Sequence, residues 1–260
     1  MVSDPAIIQD LTDPILQAGY NGIYLPEPGD PWIVGDGGIL RLSRSGTPRL
    51  ELLNLAVEKP VMAVCGTGPL VAFVSQAGKL LQVQRGAPLG SASTSVTGLS
   101  ARALACISAG VNSQQALVVG GGASQGSIGG TFKAVTLPDE PNGAMATRNG
   151  ASALSLDHIY IVGEGGRILF WNSSKWTPVP TRAKTSWNAV FTLSATFTVA
   201  VGEAGTVAVL DSGKVVRELP EPSRPETKLT DNFLGVWAAS ERDVWIVGKS
   251  GAGGSIVRLD

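Results

Sequence analysis

Reactive and charged side chains are scarce in this chain. Among 260 residues there is one histidine, His158, and there are two cysteines, Cys65 and Cys106. The cysteines lie in apolar runs, VMAVC and ALACI, with no C-x-x-C spacing and no neighbouring histidine. That pattern gives a structural zinc site no footing, and the two read as buried thiols. A chain of this length buries more than about two-thirds of its unfolded surface, so neither metal nor disulfide is needed to make a core. Charged residues are only 16% of the chain, against about 25% in a typical soluble domain. Twenty Lys and Arg face twenty-one Asp and Glu, a net charge of −1. Nucleic acid is excluded as a partner on this ground, because neutralising phosphates takes a clustered excess of cations. The N-terminus, MVSDPAIIQDLTDP, has neither the basic start nor the apolar core of a signal peptide. It fits a cytoplasmic protein, or an exported one whose leader has been removed. No transmembrane segment is expected: the charge-free window from Pro60 to Gly78 is interrupted by Gly66, Gly68 and Pro69.

Glycine is abundant, with 33 residues, about twice the average share. Its distribution follows an internal repeat. The clearest copies are DPWIVGDGGILRL from Asp30, HIYIVGEGGRILFW from His158, FTVAVGEAGTVAVL from Phe197 and DVWIVGKSGAGGSIVRL from Asp243, with divergent copies from Pro69 and Gln115. The residue closing each apolar run is Gly35, Ser75, Gly120, Gly163, Gly202 or Gly248, at spacings of 40, 45, 43, 39 and 46. A β-branched and aromatic run, V-G-[DE]-x-G, and a second apolar run make strand, tight turn, strand. A shorter apolar run precedes each pair, and a polar-alternating run follows it. No helical periodicity occurs. Six units of four short strands predict an all-β, six-bladed β-propeller with four antiparallel strands per blade. A single domain over 1–260 is expected, with blades at about 20–58, 59–99, 100–147, 148–185, 186–231 and 232–260. The last copy has three strands only, and residues 1–19 carry a spare apolar run, Pro5 to Leu11. An N-terminal strand closing the last blade is therefore expected.

The D-V-[WY]-x-V-G-[DE]-x-G-x-[IL]-L-x-W signature, with its upstream G-V-[WY] strand, resembles the blades of bacterial propellers related to the photosystem II assembly-factor family and to sialidase-like BNR repeats. The likeness is strongest at residues 20–42, 158–171, 197–210 and 233–259. BNR blades carry an Asp-box, S-x-D-x-G-x-T-W, and no copy here has one. Asp211-Ser212-Gly213-Lys214 is the nearest remnant. The resemblance thus implies the fold and not sialidase activity.

No catalytic residue, cofactor site or metal site can be nominated. His158 stands at the start of a second strand and reads as a strand-edge turn residue. Gly248-Lys249-Ser250 follows a strand and lacks the upstream glycine of a phosphate-binding loop. Asp36, Glu164 and Glu203 share one turn position and read as solvated turn acids, because one carboxylate per blade cannot surround a calcium ion. Trp32, Trp237 and Trp245 occupy inner repeat positions and read as packing between blades. Trp171 ends a third strand, while Trp176 and Trp187 lie in or beside connections, where a contact with a partner is easier to make. The long polar links, 138–149, 180–187 and 218–232, carry proline and charge. They nominate Arg148, Arg182, Lys184, Trp187, Arg224 and Lys228 as a surface for a protein partner. The function expected is a non-catalytic interaction propeller: a protein-binding scaffold, subunit or assembly factor of a larger complex. The alternative is a glycan-binding or glycan-processing propeller.

Overall fold

A computed structural model describes residues 19–25, 31–43, 49–53, 55, 57–85, 93–108, 114–138, 146–220, 231–251 and 253–259. They form six sheets whose strands follow one another in chain order. Blade one holds β1 (Tyr20–Tyr24), β2 (Trp32–Gly35), β3 (Gly38–Ser43) and β4 (Arg49–Leu53), and blade two β5 (Val61–Thr67), β6 (Leu70–Ser75), β7 (Lys79–Gln84) and β8 (Ser93–Val96). Blade three holds β9 (Ala101–Ser108), β10 (Gln114–Gly120), β11 (Ala123–Ser127) and β12 (Phe132–Ala134), and blade four β13 (Arg148–Ser155), β14 (His158–Gly163), β15 (Arg167–Trp171) and β16 (Trp176–Val179). Blade five holds β17 (Trp187–Ser194), β18 (Phe197–Gly202), β19 (Val207–Asp211) and β20 (Lys214–Leu219). Blade six has three strands, β21 (Asn232–Ser240), β22 (Asp243–Ser250) and β23 (Gly253–Leu259). The run from Pro5 to Leu11, expected to supply a fourth, lies outside the described residues. The chain divides into two compact units, Met1–Val118 with Gln125–Lys133, and Val119–Ser124 with Ala134–Asp260.

The repeat signature has a steric cause. At Gly35, Gly163, Gly202 and Gly248 the backbone leading into the inner strand passes close by. A Cβ on Gly163 would lie 2.3 Å from the Thr147 carbonyl oxygen, and one on Gly202 would lie 2.2 Å from that of Ser186. The acid after the glycine grips the same segment. Glu164 N–H donates to the Thr147 carbonyl at 3.0 Å, and its Oε2 accepts the Thr147 N–H at 3.1 Å. Glu203 does the same to Ser186, at 2.9 and 3.3 Å. These turn acids hold backbone, which is more than the solvated role their spacing suggests.

Strand alternation gives each blade two apolar faces, and one of them meets the next blade. In the first unit Trp32 and Val34 of blade one pack on Val71 and Phe73 of blade two, with the Trp32 and Phe73 rings 5.5 Å apart. Ala72 and Val74 of blade two then join Ala116 and Val118 of blade three. In the second unit Tyr160 and Val162 of blade four pack on Ala200 of blade five, and Val199 and Val201 of blade five on Val244 and Ile246 of blade six. Each large side chain buried this way contributes roughly 1.5–3 kcal/mol. Trp245 shares the register of Trp32, yet it is 42% exposed where Trp32 is 3%. Trp237 beside it is also exposed. The predicted packing between blades fails for Trp245, which lies on the face of its strand opposite the one Val244 and Ile246 turn to blade five, whereas the Trp237 ring does meet blade five, 6.4 Å from that of Phe191.

A bulge near the start of the inner strand re-aims one side chain. It falls between Tyr20 and Gly22, Val61 and Ala63, Arg148 and Gly150, Trp187 and Ala189, and Phe233 and Gly235. The residue within it is Asn21, Met62, Asn149, Asn188 or Leu234. Each of the three asparagines donates its Nδ2 to a main-chain carbonyl at the start of the next inner strand. Asn21 reaches Val61 at 3.0 Å, Asn149 reaches Trp187 at 3.1 Å and Asn188 reaches Phe233 at 2.8 Å. Between blades two and three the tie is covalent. Cys65 on β5 and Cys106 on β9 form a disulfide and are not the thiols the sequence suggested. Apolar neighbours are no bar to the bond, because the two inner strands bring the Cα atoms within 5.6 Å.

Candidate binding surface

Of the six residues nominated from the sequence, the structure leaves few on a common surface. Arg224 and Lys228 lie outside the described residues. Trp187 is the first residue of β17, not a loop residue, and is wholly buried between blades four and five with Tyr160, Val162 and Ala200. Arg148 begins β13 and is also buried, where it lines a cavity of about 10 Å³ with Ile161, Glu164 and Arg167. Both were placed at the ends of links by sequence, but the inner strand starts earlier than its apolar run implies. Arg182 and Lys184 remain, both exposed in the link between β16 and β17.

That link is held at both ends. Near its start, Glu218 of β20 is buried, its side chain 7% exposed, and it points at the link backbone. Its carboxylate accepts the Arg182 N–H at 2.9 and 3.0 Å and the Ala183 N–H at 2.8 Å, and Arg182 Nε lies 3.4 Å from Oε2. A buried carboxylate is tolerated when a guanidinium and N–H donors compensate it, as they do here. Thr181 Oγ1 donates to the Gly166 carbonyl at 2.7 Å. Gly166 has a φ of +76°, and a Cβ there would fall 2.0 Å from the Ala183 carbonyl oxygen, so the turn requires glycine. At the other end Ser186 is gripped by Glu203 as described above.

Beside this pinned link opens a cleft of about 440 Å³ lined by Pro180, Thr181, Arg182, Val215, Val216, Arg217 and Glu218. Val216 is 61% exposed and gives the cleft an apolar wall. Sequence reasoning missed Glu218 and Val216. The signal was an acid in the alternating run KVVREL, whose pairing partner, Ala208 on β19, is buried. In the sequence that acid opens a proline-rich run, ELPEPSRP, and nothing local marks it as buried.

His158 leads β14 and stacks edge-on against Tyr160 and Phe170, with ring centroids 5.4 and 4.9 Å away. Burial lowers its pKa below the ordinary imidazole value. Tyr160 accepts the Gly213 N–H at 2.8 Å, tying blade four to blade five, and burial raises its phenol pKa. Among the described residues no three His, Cys, Asp or Glu side chains gather closely enough to hold a metal ion. Nor is any helix among them long and apolar enough to cross a membrane.

No family model and no curated protein matches this chain. Solved structures do. YCF48 bound to D1 peptide superposes with a TM-score of 0.63 at 15% identity, over 94% of this chain and 78% of that one. YCF48 from Cyanidioschyzon merolae gives 0.59 at 12% identity, over 94% and 95%. The chain has the six-bladed propeller fold. The extracellular domain of BT4673, a putative one component system from B. thetaiotaomicron, gives 0.68 at 17% identity over 93% of this propeller and 33% of that chain. The resemblance read from the blade signature is thus carried by structure, at identities that speak for the fold alone.

Proposed function

We propose that this propeller is a protein-binding scaffold, working as a subunit or assembly factor of a larger complex, and that the cleft beside the 180–186 link takes an extended, carboxylate-bearing segment of the partner. The observation that carries the reading is the posture of Arg182. Its main chain and guanidinium are fixed by buried Glu218 at the lip of an open cleft, so the cation is pre-organised and half-exposed rather than free to wander. A guanidinium held this way favours charge-assisted pairing with carboxylates, while Val215, Val216 and Pro180 suit the apolar side chains between them. The likeness to YCF48, which has been solved with a bound peptide, supports the same class of ligand.

The test is an array of short peptides varying in acidic and apolar content, probed with wild type and with Val216→Glu, which places a carboxylate in the cleft without touching the Arg182–Glu218 pair. Enrichment of acidic-apolar peptides that Val216→Glu loses at least tenfold supports the reading. Enrichment that the variant leaves unchanged, or no enrichment, overturns it.

A further inference from the structure

We propose that this chain matures in an oxidising compartment, and that the Cys65–Cys106 disulfide there takes the place of the asparagine clamp at the junction between blades two and three. Four blade-to-blade junctions are described within the two units. At three of them an asparagine in the inner-strand bulge donates to the next inner strand: Asn21 to Val61, Asn149 to Trp187 and Asn188 to Phe233. At the fourth the bulge residue is Met62, which has no donor, and this is the junction that carries the chain's one disulfide. The inner strands β5 and β9 are thus joined by a bond where the hydrogen-bonding device is missing.

Two consequences distinguish this from an incidental pairing of thiols. The bond is structural, closing a sequence separation of 41 residues between rigid strands, so its loss is expected to weaken the first unit. Such bonds form and persist where the redox environment is oxidising and are rare in the reducing cytosol. In the forming step the two thiols release two electrons and two protons as the Sγ–Sγ bond forms. The disulfide of a thiol oxidoreductase accepts them and becomes a dithiol.

The experiment has two arms. In the first, full-length protein from its native cells is denatured and alkylated without reductant, then weighed. The expected chain carries no alkyl group and gains two only after reduction. Two alkylated cysteines before reduction overturn the proposal. In the second, thermal melts compare wild type, Cys65→Ser/Cys106→Ser and the same double variant with Met62→Asn, which would set an amide at the Ala101 carbonyl. The double variant is expected to melt about 10 °C lower. The added asparagine should restore several degrees. A double variant melting within 2 °C of wild type, or no recovery with asparagine, sinks the claim that the bond substitutes for the clamp. If the double variant does not fold, wild type melted with and without reductant reads the same loss.

Discussion

Asn188→Ala is the most direct probe of how neighbouring blades are fastened. The side chain amide lies 2.8 Å from the Phe233 carbonyl, 45 residues along the chain, so the bond is purely tertiary. A neutral hydrogen bond of this kind contributes about 0.5–1.5 kcal/mol net, and an acceptor left dry in a part-buried site costs about 1–3 kcal/mol. Taking about 1.5 kcal/mol, and about 2–4 °C of melting temperature per kcal/mol for a domain of this size, the variant should melt about 3–6 °C lower. Asn188→Asp should be at least as damaging, because a carboxylate has no proton to give and repels the carbonyl. Leu234→Asn, at the equivalent bulge of blade six where the side chain is 58% exposed, should stay within about 0.5 kcal/mol of wild type. Scanning calorimetry at one pH and protein concentration is the assay. If Asn188→Ala and Asn188→Asp both melt within 1 °C of wild type, the recurring asparagine is not a clamp.

Two further outcomes are expected. Gly202→Ala drives a Cβ to 2.2 Å from the Ser186 carbonyl oxygen and should cost about 1–3 kcal/mol, whereas Gly121→Ala meets nothing within 4 Å and should be close to neutral; equal melting temperatures for the two would refute the steric account of the signature glycine. Because burial lowers the His158 pKa in the folded state, the unfolded chain takes up the proton first, so stability is full above about pH 6.5 and falls as the pH drops below it. His158→Gln should flatten that decline, and parallel pH profiles for the two proteins would rule out this residue as its source.

Much of the blade architecture was legible because the repeat is enforced by short-range sterics. The glycine ending the second strand, the acid after it and the alternation in IYIV or VWIV each act within a few residues. Features that cross from blade to blade were harder to read. Asn21, Asn149 and Asn188 occupy one repeat position, but an asparagine before a small residue looks like a turn until the bulge aims it outward. Cys65 and Cys106 both sit in inner strands of successive blades, which was visible. Their pairing was not, because it depends on how closely β5 approaches β9. Trp187 was misplaced for a related reason: the inner strand begins before its bulge, one residue ahead of the apolar pattern. The cleft was half-legible, since Arg182 stood out as a link cation while the acid that holds it belongs to a strand of another blade.

The two faces of a blade are not alike. Trp32 and Val34 look forward to Val71 and Phe73, Val199 and Val201 look forward to Val244 and Ile246, and blades two and five, each with a neighbour on both sides, turn alternate residues to each. Contacts of this head-to-tail kind are heterologous, the geometry that lets subunits add in series without changing the interface. Gene duplication of one repeat would therefore hand each new copy a fitting neighbour on both sides at once, with no surface to reinvent. Novelty is then left to the links and to the asparagine or disulfide that fastens each described joint.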